Sequence, residues 1–333
     1  MRTRNRISWP ENKRFAFTIF DDTDVSTLGN IAPVYELLAG LGFRTTKSVW
    51  PLSVDDTASD YFGSQTLEDC KYCDYIKSLQ QRGFEIAYHG ARMESSDRSI
   101  VKKSLQKFRS ELGFYPRAYA SHAGNRENLY WEDDRFTIKA FKLLFRLLNP
   151  SKSGYSEGHR PDSHFFWGDL AKKYISYARS FSYDEINLFN ISPRVCYADS
   201  RKPFLNNLFI SSDADNVEEF NRLIHLKNQE KLEKQGGVCI LSTHIGKGFV
   251  KGGAVNPETK YLLERFSQRN GWFPTVSELL DYLTGFRQEM DIGFTERVNL
   301  ELKWFLHSFK RKLTASTYEK SELAYLFPDE SSG

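Results

Sequence analysis

No stretch of this 333-residue chain approaches the roughly 20 consecutive apolar residues that a membrane-spanning helix needs, so a helical span is not expected. The opening residues, MRTRNRISWPENKR, are basic but lack the apolar core of a secretory leader, and the expectation is a cytoplasmic protein. Charge of one sign is also lacking. Against 46 basic residues stand 43 acidic ones, a net +3 that leaves no electrostatic footprint for nucleic acid. Neither an internal repeat nor a low-complexity tract is present, and 40% hydrophobic with 15% aromatic residues argues against disorder. Cysteine is scarce, with four in the chain. Cys70 and Cys73 form a CxxC, but no second pair completes a zinc site, and the motif falls inside the helical pattern LEDCKYCDYIKSLQ. The two read as small buried helix residues.

What is present is alternation. RFAFTIF, RTTKSVW, FEIAYHG and PRAYASH read as strands. A helix from Thr27 to Leu41, a second closed by Gly83 and a third capped by Ser96 and stopped by Gly113 fall between them. Further on come LFISSDAD, a long charged helix to Gln235, GGVCILSTH, a helix ending near Asn270, and GWFPTVSELLDYL as a short strand with a capped helix. This βαβα rhythm predicts an α/β protein with a parallel sheet, open or closed into a barrel. An irregular, aromatic-rich insertion spans about 132–201 and includes a strand near RSFSYDEI. Residues 286–333 depart from the rhythm as a C-terminal helical extension and tail. There RVNLELKWFLHSFKRKL sets Val298, Leu302, Phe305, Leu306, Phe309 and Leu313 at helical spacing, with Lys303, Lys310, Arg311 and Lys312 interspersed. Packing of this stripe on the domain is the favoured reading; peripheral contact with a membrane is the alternative.

The chemistry-bearing residues collect at strand ends. FTIFDDTD closes the first strand with Asp21, Asp22 and Asp24; His89 ends the third strand and His122 the fourth; Asp213 and Asp215 end a later one and His244 the next. In parallel α/β sheets the carboxyl ends of the strands form the active face. Adjacent carboxylates on a strand point to opposite sides and can take different tasks, one beside a metal and one as a base on water. Helix capping accounts for one of the acids but not for all three.

At these residues the sequence resembles the polysaccharide deacetylases, carbohydrate esterases that remove acetyl groups from sugars. FTIFDDTD is similar to their first motif, EIAYHG to the start of the second, ILSTHIG to the last, and GWFPTVSELLDYL to the closing strand and helix, in order from Arg14 to about Leu283. The resemblance implies a distorted (β/α)7 barrel, residues 1–285, holding a divalent metal, usually zinc. It implies Asp21 as catalytic base, Asp22 and His89 as metal ligands, and His244 as general acid.

The family's second histidine, four residues after the first, is replaced by Met93, a poor ligand beside carboxylate and imidazole. His122 is the preferred substitute, with His159 and His164 of the insertion as alternatives. Arg117 and Arg126 flank the place of the family's orienting arginine without matching it. Asn125, Arg126, Tyr130 and Asp213 are expected to contact a carbohydrate substrate, free of nucleic acid. The expected activity is deacetylation of an N- or O-acetylated sugar in surface-polysaccharide assembly, on a nucleotide-, lipid- or polymer-linked substrate. A barrel that only binds carbohydrate or a partner, and a metal-free glycosidase using Asp21 or Asp22 with Asp213, are the alternatives.

Overall fold

The computed structural model describes residues 7–55, 63–286 and 290–315, with side chains to residue 308. Its strands are β1 (Phe15–Asp21), β2 (Thr46–Val49), β3 (Glu85–Tyr88), β4 (Ala118–Tyr119), β5 (Tyr177–Tyr183), β6 (Cys196–Tyr197), β7 (Asn207–Asp213), β8 (Val238–Thr243), β9 (Val250–Lys251), β10 (Ala254–Val255) and β11 (Gly271–Trp272). The helices are α1 (Leu28–Gly40), α2 (Cys70–Gln81), α3 (Arg98–Leu112), α4 (Lys139–Leu148), α5 (Gly168–Tyr174), α6 (Val217–Leu223), α7 (Leu226–Gln235), α8 (Pro257–Ser267), α9 (Val276–Gly285) and α10 (Phe294–Ala315).

Seven strands close a ring. β1, β2, β3, β4, β5, β7 and β8 pair in that order, all in parallel, and β8 returns to β1 over six residue pairs. The expected seven-stranded barrel is therefore present. β11 runs parallel to β1 beneath β2, and β6 pairs antiparallel with β7. Because parallel strands here are covered on both faces, β1 is buried along its whole length.

The pleat sorts β1 into two sets. Phe15 and Phe17 face the helix layer, where Phe17 meets Phe266 of α8 at 4.6 Å and Phe43 at 6.2 Å between ring centroids. Phe20 faces the barrel interior, against Phe209 of β7. Asp21 follows the outward set and Asp22 the inward one.

Three local expectations change. α3 is capped by Asp97, whose carboxylate accepts from the backbone of Ser99 and Ile100, rather than by Ser96. The long helix before Gln235 is two, α6 and α7. Asn228 and Gln229 side chains take the carbonyls of Arg222, Leu223 and Ile224, which a continuous helix would have spent on its own backbone. α10 packs on β5, but its buried residues are Arg297, Leu300 and Glu301, whereas Leu302 and Leu306 of the predicted stripe are exposed. Phe309, Lys310, Arg311, Lys312 and Leu313 lie outside the described side chains.

α9 starts as its sequence predicts, with Thr275 and Glu278 in a reciprocal capping box. Thr275→Ala is expected to lower the unfolding free energy by about 1 kcal/mol in urea titrations, the usual loss of a capping hydroxyl.

Candidate active site

Each carboxylate of FTIFDDTD meets a different cation. Asp21 points out of the barrel and is fully buried. Lys47 of β2 lies 3.0 Å from its Oδ2, the Tyr35 hydroxyl of α1 donates to it at 3.0 Å, and the Ile245 amide donates to Oδ1 at 2.9 Å. Lys47 also donates to Ser26 Oγ at 2.9 Å. Burial raises the Asp21 carboxyl pKa, with Lys47 and the two hydrogen bonds pulling the other way. Its acceptors are spoken for, so the expected catalytic base sits behind the barrel wall.

Asp22 points inward to Arg179 of β5. The guanidinium makes a paired contact, 3.1 Å to Oδ1 and 2.6 Å to Oδ2, and donates to Ser242 Oγ at 2.7 Å. Burial pushes the Asp22 carboxyl up, but Arg179, His89 and His244 outweigh it and hold the group below its ordinary range.

Asp24 gathers imidazoles. Nε2 of His89 lies 3.3 Å from Oδ1, and Nε2 of His244 and of His122 lie 3.3 and 3.7 Å from Oδ2. Burial opposes ionisation of Asp24, yet the three histidines hold its pKa well below the carboxylate norm. The turn is aimed by strain, since Val25 takes φ +61°, a conformation β-branched residues avoid. Asn30 Nδ2 donates to the Val25 carbonyl at 2.7 Å, and a Cβ on Gly246 would come within 2.6 Å of that oxygen. A glycine is therefore required where the turn after β8 crosses the turn after β1.

The histidines are held from behind. His244 Nδ1 lies 3.1 Å from Asp215 Oδ1, which also meets Lys247 at 3.0 Å. Burial alone would lower the His244 pKa, but Asp215 and Asp24 push it up to about 10. His122 Nδ1 lies 3.3 Å from Asn125 Oδ1, and its pKa is lowered by burial against the pull of Asp24. Trp50 walls the pair, with ring centroids 5.1 Å from His122 and 5.8 Å from His89.

The structure thus brings Asp22, His89, His122 and His244 together and sets Asp21 apart. Met93 is a buried apolar side chain. His159 pairs with Asp134 inside the insertion, and His164 is exposed. Asn125 braces His122 and donates to the Arg92 carbonyl and Glu127, so its amide is engaged within the protein. Arg126 pairs with Glu157 and lies over Phe165. Tyr130 packs on His159 in the insertion. Asp213 ends β7 opposite Ser242, while Asp215 is the acid that reaches His244. Two residues of the site escaped sequence reading, Arg179 and Lys47, as did the central position of Asp24. A cation inside a strand, Lys47 in RTTKSVW and Arg179 in YARSFSY, was the available signal.

A divalent metal has a chemically suitable donor set here in Asp24, His89 and His122, one carboxylate and two imidazoles. Asp24 Oδ1 is buried without a hydrogen-bond partner, which a bound cation would relieve, whereas the likewise unpartnered His89 Nδ1 faces Asp22 Oδ1 at 3.5 Å. Among the described residues, however, no three His, Cys, Asp or Glu side chains already stand in metal-holding arrangement. Asp22 fits a metal less well, because both its oxygens face Arg179.

Two stability tests follow from this geometry. Lys47→Met should cost about 3–5 kcal/mol in urea unfolding by stranding a buried carboxylate, and Lys47→Met with Asp21→Leu should recover most of it. A loss below about 1 kcal/mol in the single variant would contradict a structural role for the pair. Burial raises the Glu127 carboxyl to about 7, against hydrogen bonds from Ser96 and Asn125. The unfolded chain therefore loses this proton first. The Glu127 contribution to native stability should fall from about pH 4.5 to about 7 and be constant above, and Glu127→Gln should remove that part of the pH dependence of urea midpoints.

By sequence, no family model and no curated protein matches this chain. By structure, a protein from Mycobacterium smegmatis named as a polysaccharide deacetylase is similar over 86% of this chain and 96% of its own, at TM-score 0.52 and 13% identity. The allantoinase PuuE covers 83% and 92% at 0.49 and 11%. A Pseudomonas aeruginosa PAO1 protein named as a polysaccharide deacetylase covers 83% and 93% at 0.47 and 11%. The chain has the seven-stranded barrel fold of the polysaccharide deacetylases.

Proposed function

We propose that this protein is a metal-dependent hydrolase that removes the acetyl group from an N- or O-acetylated sugar. The observation that carries this reading is Asp24 ringed by His89, His122 and His244, with Asp22–Arg179 on one side and His244–Asp215 on the other.

Asp24, His89 and His122 would hold the metal, with His122 standing in for the histidine that Met93 replaces. A divalent cation bound there supplies Lewis-acid polarisation of the acetyl carbonyl. Asp22 takes the base role instead of Asp21. Its depressed pKa keeps it ionised and Arg179 fixes its plane, so that it would accept a proton from an attacking water. His244, its Nδ1 held 3.1 Å from Asp215, keeps a proton on that side and is suited to protonate the departing amine or alcohol. Two titrating groups pushed in opposite directions across one small site are the pattern of an acid–base pair. Asp21 with Lys47 serves as the brace that fixes the turn carrying Asp22 and Asp24.

The substrate class proposed is a sugar of surface-polysaccharide assembly, nucleotide- or lipid-linked. Metal content of purified protein tests the assignment. After incubation with zinc the wild type should carry about one metal per chain. Asp24→Ala and His122→Ala should lose it. Asp22→Asn should keep the metal while acetate release from acetylated amino sugars falls by about 100-fold or more. A metal-free wild type would leave the carbohydrate-binding reading, and metal retained in Asp24→Ala would refute the ligand set.

A further inference from the structure

One helix of the insertion faces the wrong way for a soluble protein. α4, KAFKLLFRLL, buries Phe145, yet it turns Leu143, Leu144, Leu147 and Leu148 to solvent, exposed by 59%, 44%, 71% and 56%. At helical spacing these four make one continuous stripe. Single exposed leucines are ordinary, but a contiguous stripe marks a surface that something covers. α10 flanks α4, with Phe141 against Phe305 and Phe145 against Trp304, and it exposes Leu302 and Leu306 as well.

Charge selects the occupant. Lys139, Lys142, Arg146 and Lys152 occur between residues 139 and 155, and that segment holds no acid. The acids these cations meet belong to the preceding turn. Arg146 lies 2.7 Å from Asp133, Lys152 3.6 Å from Glu132, and Lys142 pairs with Asp134. Glu132 and Asp133 are buried beneath the helix and Asp134 is mostly covered, so the exposed charged side chains of this segment are Lys139, Arg146 and Lys152. Leucines bordered by lysine and arginine are the composition of a helix lying in the headgroup layer of an anionic bilayer.

The placement is informative too. Phe136, just before α4, packs on Phe145 and on Phe181 in the C-terminal half of β5. α4 therefore sits at the mouth end of the barrel, on the side of Asp22 and Asp24.

We propose that α4 lies in the surface of an anionic membrane, leucines inward, and holds the barrel mouth at the bilayer. No described helix is long and apolar enough to cross a membrane, so the contact is interfacial. If the site acts as proposed above, the substrate is an acetylated sugar on a lipid carrier; that consequence rests on the deacetylase reading, whereas membrane binding does not.

The test is co-sedimentation of the full chain with vesicles of phosphatidylcholine alone or mixed with phosphatidylglycerol. Binding should require the anionic lipid, weaken with added salt, and fall by about tenfold or more in Leu143→Glu/Leu147→Glu. Both positions are solvent-exposed, so the variant should melt with the wild type. It should also keep the wild-type rate of acetate release from a water-soluble acetylated sugar, so failure of the membrane proposal and failure of the site assignment are read separately. Absence of pelleting, or pelleting unchanged in the variant, overturns the proposal. So does a wild-type dimer in light scattering that the variant converts to monomer, which would assign the stripe to a second copy.

Discussion

Compensation of buried negative charge governs this molecule. Three carboxylates leave one strand within four residues, at a point where water is largely excluded, and a buried carboxylate without a partner is costly. Each is answered from a different element: Asp21 by Lys47 of β2, Asp22 by Arg179 of β5, and Asp24 by imidazoles from the ends of β3, β4 and β8. These pairs reach across the barrel as well as along it. Closing the seven-stranded ring is what brings the cations within reach, and the cations are what make the acids tolerable there.

The same arrangement divides structural from chemical work. Asp21 has a lysine, a tyrosine hydroxyl and a backbone amide on its two oxygens, and nothing is left for a substrate. Asp24 has the opposite character, with imidazoles near both oxygens and Oδ1 lacking an aligned hydrogen bond. Asp22 lies between, ionised and oriented by a paired guanidinium contact. The strained Val25 and the glycine at 246 hold this gradient in place by letting two turns cross at close range.

The insertion between β4 and β5 adds a second layer of organisation. It buries Asp133 and Glu132 beneath α4, stacks Phe136 against β5, and displays leucines on its outer side. α10 completes that packing through Trp304 and Phe305, with Glu301 accepting from the Thr137 and Ile138 amides that lead into α4. The extension and the insertion thus support one another at the mouth end of the barrel.

The alternation of apolar runs and amphipathic segments was enough to predict the parallel α/β architecture, because burial on both faces imposes its own composition on a strand. Motif resemblance added closure into seven strands, and the strand ends identified the active face. The sequence also determined that Asp21 and Asp22 face opposite sides of β1, since the pleat has a period of two. Which side is the interior was decided only by tertiary structure, and the proposal that Asp22 rather than Asp21 is the base rests on that side. Arg179 lies 157 residues from Asp22 and Asp215 lies 29 from His244, so their pairing depends on barrel closure and strand register rather than on any local pattern. The rotation of α10 and the outward leucines of α4 were likewise set by what each helix packs against. A helical stripe in a sequence specifies an apolar face; only its neighbours determine whether that face is covered.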